Sequence, residues 1–110
     1  MDLQSVPLFQ DLPAQQIQEL KDNSQSLSFD KGQTIFSQDE PGKGFYVLLQ
    51  GRVKVYKLSL EGKEQILHIF GPGEPIGEVP VFAGETFPAH AETMEASELW
   101  FLPRDRLQDL

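Results

Sequence analysis

At 110 residues the chain can form one domain with a real core but not two. An apolar content of 39% excludes wholesale disorder, and the absence of cysteine excludes disulfides, cysteine-held zinc or iron–sulfur centres and thiol catalysis. The net charge of −8 makes the segment a poor nucleic-acid binder, because phosphate backbones repel an acidic surface. Apolar runs such as Tyr46 to Leu49 fall far short of a membrane span, and no basic-then-apolar leader opens the chain. A soluble, cytoplasmic protein with no membrane contact is expected.

The chain begins as a helical region. Val6, Leu8, Phe9 and Leu12 form a short apolar segment, Pro13 suits a first helical turn, and Ile17 and Leu20 follow at helical spacing. The polar run Lys21 to Ser26 is expected to end it. From Leu27 the period changes to alternation, with Leu27 and Phe29 set among Ser26, Ser28 and Asp30. Lys31-Gly32 is a turn, Thr34 to Phe36 a strand, and Asp39 to Gly44 a loop by composition.

Phe45 to Gln50 reads as a strand closed by Gly51, and Val53 and Val55 alternate with Arg52, Lys54 and Lys57, a basic face open to solvent. Glu61-Gly62-Lys63 turns this strand into another over Gln65 to Phe70. Gly71 to Pro75 is a turn, a short helix starts near Gly77, and Thr86 to Thr93 and Glu98 to Leu102 are two further strands, the second with Trp100 in the core. Pro103 to Leu107 starts a closing helix. About eight short strands with turns about every ten residues indicate a sandwich or barrel.

Two stretches carry a family pattern. Glu61 to Phe82 reads EGKEQILHIFGPGEPIGEVPVF, and Phe29 to Lys57 reads FDKGQTIFSQDEPGKGFYVLLQGRVKVYK. Together with the terminal LPRDRLQDL they resemble the N-terminal sensor domain of CRP/FNR-family transcription regulators, a cyclic-nucleotide-binding type of domain. The resemblance runs from about Leu8 to Leu107, and agreement at many separate turns and alternations makes it specific. It implies a mainly β fold with flanking helices, a double-stranded β-helix or jelly-roll barrel. It also implies that residues 1–110 are a single sensor domain, and that the family's dimerisation helix and helix-turn-helix domain are missing from this chain.

The same resemblance assigns a site. Gly77-Glu78 matches the family's phosphate cassette, where a glycine admits close backbone approach and the glutamate accepts from a ribose hydroxyl. In the family an Arg, then Ser or Thr, then Ala follow the cassette, and the Arg pairs with the cyclic phosphate. Here those positions are Phe87, Pro88 and Ala89. Pro88 and Pro80 have no N–H to donate. A lost charge-assisted contact is worth on the order of 2 kcal/mol, so cyclic nucleotides are expected to bind weakly or not at all. Between Gly71 and Trp100 there are six acids and no Lys or Arg to replace it.

The expected ligand site is therefore Gly77, Glu78, Val79, Phe87, Pro88 and Ala89, with Leu67 and His68 where the family lines its pocket near the base. Phe82 is expected beside them. CRP/FNR relatives that respond to nitric oxide share the missing Arg, which implies haem as occupant, with His68 or His90 as axial ligand. Against this, strand histidines are commonly structural, and Phe82 and Phe87 suit a core equally well. No supported catalytic arrangement is visible, and two histidines are too few for a cupin metal centre, so no enzyme is expected. The resemblance implies an effector-sensing domain. A small-molecule effector would control DNA binding by the missing domain, in a homodimeric full-length protein. The alternative is the cyclic-nucleotide-binding regulatory domain of a channel or kinase.

Overall fold

The computed structural model describes residues 9–107, with side chains through Asp105. Val6 and Leu8 lie outside the described residues. Helix α1 (Ala14–Asn23) is followed by strands β1 (Gln25–Phe29), β2 (Thr34–Phe36), β3 (Gly44–Gln50), β4 (Val53–Leu58), β5 (Glu64–Phe70) and β6 (Pro75–Ile76). Helix α2 (Glu78–Ala83), strands β7 (His90–Thr93) and β8 (Ser97–Pro103) and helix α3 (Arg104–Leu107) complete the order. The strands form two four-stranded antiparallel sheets, β1-β8-β3-β6 and β2-β7-β4-β5. This is the expected mainly β double sheet with flanking helices.

Strand β3 explains the contiguous apolar run Phe45 to Leu49. Both of its faces are covered, so strict alternation is lost. On the helical side Phe45 meets Phe9 of the N-terminal segment and Phe82 of α2, at ring-centre distances of 6.2 and 5.5 Å. Across the sandwich Tyr46 meets Phe36 of β2 at 6.1 Å. Phe45, Val47 and Leu48 are fully buried, as are their β8 neighbours Leu99 and Leu102. Trp100 is only half-buried and packs against the margin of this core, not within it.

The turns follow their residues. Gly62, at φ 83°, lets its N–H donate to Ser59 O at 2.9 Å while Ser59 N–H donates to Lys63 O at 2.9 Å, closing the β4–β5 hairpin. Pro13 stands immediately before α1, and Ile17 and Leu20 are its buried residues. The polar run from Lys21 does not end the helix at once. Lys21 to Asn23 complete it, with Asn23 and Ser24 side chains hydrogen-bonded to Glu19 O and Lys21 O.

Two strand expectations change. Only His90–Thr93 of the expected Thr86 to Thr93 strand pairs regularly, while Thr86 makes one isolated bridge to Pro41. Pro88 has no N–H for a ladder, and the backbone of Phe87 is engaged by a loop: its N–H donates to Glu40 O at 3.0 Å and its carbonyl accepts from Asp39 N–H at 2.8 Å. The expected basic strand face is in part an ion-pair network. Lys54 Nζ lies 2.8 Å from Glu64 and 3.3 Å from Glu92.

Two predictions follow from this packing. Leu48→Ala, which empties a fully buried position, should lower the unfolding free energy by about 2–5 kcal/mol in urea titration with little change in slope. The second concerns alkaline pH. Burial, and then the charge of Glu40, raises the Tyr46 phenol above its ordinary 10.0. Burial, and then Glu92, does the same at Tyr56. The hydrogen bond that Lys54 donates to Glu64 raises the lysine above 10.5. For each group the folded chain holds its proton more tightly than the unfolded chain. Their stabilisation is therefore complete below the unfolded values and is lost as pH rises through the folded ones. The midpoint of thermal unfolding, followed from pH about 9 to about 12, should fall beyond about pH 10.

Candidate functional site

The site is built around one glycine. Gly77 joins β6 to α2 with φ 81° and ψ 12°, a left-handed conformation that β-carbon-bearing residues rarely hold. A β-carbon built there would lie 2.7 Å from the Phe87 ring. Phe87, 2% exposed, stacks on Phe36 with ring centres 3.8 Å apart and planes at 11°. Gly77 thus admits an aromatic ring as well as a turn. The positive φ and the Phe87 ring together account for a glycine at this position without a ligand.

Helix α2 is short because both ends are set by glycine. Gly84 closes it at φ 74°, with its N–H on the carbonyls of Pro80 and Val81. Between α2 and the Phe87 segment lies a cavity of about 200 Å³. Gly77, Glu78, Val79 and Pro80 form one part of its lining and Phe87, Pro88 and Ala89 another, with Phe36, Val55 and Phe70 completing it. Six of the eight expected site residues therefore meet around one space. Glu78 is the only charged residue of the lining; it is half-buried and has no side-chain hydrogen bond or ion pair among the described residues.

Leu67 and His68 do not line the cavity. Leu67 is 57% exposed. His68 lies edge-on to Phe70, 4.3 Å between ring centres, with Nε2 3.7 Å from the Glu74 carboxylate in the open. His90 is on the other face of β7 from buried Ala91 and Thr93. Its ring sits 5.3 Å from Tyr56 and its Nδ1 accepts from Gln38 N–H at 3.2 Å. Phe82 is 55% exposed and leans on Phe45 outside the cavity. Three residues that sequence reasoning left out, Phe36, Val55 and Phe70, belong to the lining. Only the alternation around Val55 carried a signal, since Phe36 and Phe70 reach the cavity through the sheet register.

Haem does not fit this space. No histidine lines it, and its volume of about 200 Å³ lies below the range of about 300–1,000 Å³ that accommodates drug-sized ligands. Among the described residues no cluster of three or more His, Asp or Glu side chains could hold a metal ion. No described helix is long and apolar enough to cross a membrane.

Comparison with known proteins agrees with this fold. The family model of the cyclic nucleotide-binding domain matches residues 26–110. The chain belongs to the cyclic nucleotide-binding domain family. It is 30% identical over 101 residues to a CRP-like cAMP-activated global transcriptional regulator of Mycobacterium tuberculosis, covering 92% of this chain and 45% of that protein. The crystal structure of the sensor domain of the transcriptional regulator DNR from Pseudomonas aeruginosa superposes with a TM-score of 0.88 at 36% identity, covering 97% of this chain and 75% of that one. A further match, 30% identical over 79 residues, is to 5% of the lysophospholipase nte1 of Aspergillus terreus. The domain is thus a cyclic-nucleotide-binding-type sensor domain resembling the N-terminal domains of CRP/FNR-family regulators, and the chain spans about half the length of the regulator from Mycobacterium.

The packing of Gly77 gives a direct test. Gly77→Ala must hold a β-carbon at positive φ and push the Phe87 ring off Phe36. A loss of about 1–3 kcal/mol is expected in urea denaturation. Gly77→Ala in a Phe87→Ala background should cost less than in the parent chain, because the clash is then relieved.

Proposed function

We propose that this chain is the effector-sensing domain of a cytoplasmic CRP/FNR-like transcription regulator, and that its effector is a small, uncharged, largely apolar molecule seated between α2 and Phe87 to Ala89. The observation that carries this reading is the Phe36–Phe87 stack, which occupies the place where the family resemblance puts a phosphate-binding Arg. Among the described residues no Lys or Arg lines the cavity, so a cyclic phosphate would lose its water and meet only Glu78, a like charge. An uncharged ligand has no such cost, and Glu78 is placed to accept a hydrogen bond from a hydroxyl it carries. Effector binding would govern DNA binding by a helix-turn-helix domain elsewhere in a homodimeric protein. The domain itself performs no catalysis.

Isothermal titration tests the choice of ligand class. Neither cyclic AMP nor cyclic GMP should bind measurably; a dissociation constant at or below about 1 μM, about −8 kcal/mol, would overturn the reading. Replacing Phe87→Arg together with Pro88→Ser restores the cation and the hydroxyl, and should raise cyclic AMP affinity at least about tenfold. Benzene or toluene, used as apolar probes, should raise the thermal midpoint of the parent chain. They should fail to do so after Ala89→Leu, which fills the cavity from a residue that is 1% exposed.

A further inference from the structure

We propose that a second groove, at the start of α3, binds a small organic monocarboxylate through Arg104 and Lys43. The groove lies between the Pro41 to Lys43 turn, the Gly84 to Thr86 turn after α2, and the segment where β8 becomes α3. Its volume is about 920 Å³, within the usual range of about 300–1,000 Å³ for small-molecule sites. It shares no lining residue with the Gly77 cavity. The proposal therefore stands or falls separately from the assignment of that cavity.

Four charged side chains line the groove, Lys43, Glu85, Arg104 and Asp105, and none has a side-chain ion pair or hydrogen bond among the described residues. Arg104 is nevertheless held in place. Its backbone N–H donates to Lys43 O at 2.8 Å. Its guanidinium lies against Gly84, where a β-carbon would come within 2.7 Å of an Nη atom. Its Nε is buried without a hydrogen-bond partner. The glycine thus leaves room for the guanidinium. The two Nη atoms are left to the groove.

The Nη atoms have no hydrogen-bond partner among the described residues, and an anion that meets them gains charge-assisted hydrogen bonds. A carboxylate does so end-on, with one oxygen on each Nη, and Lys43 adds a second positive charge. Phe101, Pro41 and Pro103 offer an apolar surface for the body of the ligand. Glu85 and Asp105 sit in the same lining and repel a second negative charge, so a monocarboxylate is preferred to a phosphate dianion.

The test uses the isotope-labelled chain and phenylacetate as probe, followed by two-dimensional NMR. The shielded Arg104 Nε–H and the amides of Gly84 and Thr86 should shift saturably, with a dissociation constant at or below about 1 mM. Phenylacetamide, which lacks the charge, and inorganic phosphate, which lacks the apolar body, should produce no saturable shift. Arg104→Lys keeps the charge but loses the planar fork and should weaken binding at least about tenfold, with amide positions outside the groove unchanged. Lys43→Gln, on an exposed turn, should weaken it a few-fold and serves as the test if Arg104→Lys unfolds. Absence of saturable shifts up to about 10 mM phenylacetate overturns the proposal. Equal binding of the amide, binding of phosphate, or unchanged affinity in Lys43→Gln does so too.

Discussion

The stacking of Phe87 on Phe36 is the contact on which the functional end of this domain depends. It joins two segments that are far apart in sequence, and it is possible only because Gly77 presents no β-carbon to the ring. An aromatic pair of this kind contributes about 0.5–1.5 kcal/mol beyond the apolar area it buries. Its larger consequence is chemical. Phe87 is part of the hydrophobic core, and among the described residues the space beside it has Glu78 as its only charged lining residue. The electrostatic character of the cavity therefore follows from packing.

The surrounding fold makes the stack rigid from several sides. Strand β3 is buried on both faces, so Tyr46 cannot retreat from Phe36 without disturbing the aromatic packing of Phe45 against Phe9 and Phe82. The backbone of Phe87 is fixed by Asp39 and Glu40, whose turn includes Asp39 at φ 71°, the only non-glycine residue with positive φ among those described. Asp is among the residues that tolerate this conformation most readily. The loop substitutes for the ladder that Pro88 cannot join. An irregular segment thereby keeps its backbone groups satisfied next to the cavity.

Much of this was legible in the sequence, for identifiable reasons. Turn glycines and two-residue alternation report on local backbone needs, and they located β3, β4, β5 and the Gly62 hairpin closely. The Gly77-Glu78 cassette placed six residues around one space because they occupy two short segments whose local geometry is strongly constrained. What could not be read was direction across the sheets. His90 alternates with Ala91, and one-residue alternation does not say which side faces the cavity; the β7 register turns His90 toward Tyr56. Phe82 sits one turn along α2 from Val79, yet the helix directs it to Phe45. The contributions of Phe36 and Phe70 depend on sheet pairing between distant strands, which no local pattern encodes.

The Gly77 cavity and the α3 groove are connected by one turn, which bonds to Phe87 of the first and lines the second. Residues 37–43 leave β2, bond through Asp39 and Glu40 to the backbone of Phe87, bridge from Pro41 to Thr86, and end at Lys43, whose carbonyl receives the Arg104 N–H at the start of α3. A ligand no larger than the Gly77 cavity can enter without moving Phe87. A larger one must displace the ring from its stack on Phe36. Interiors packed at this density do not absorb such a shift gradually. The turn thus joins the backbone of Phe87 to the β8–α3 junction through backbone hydrogen bonds alone.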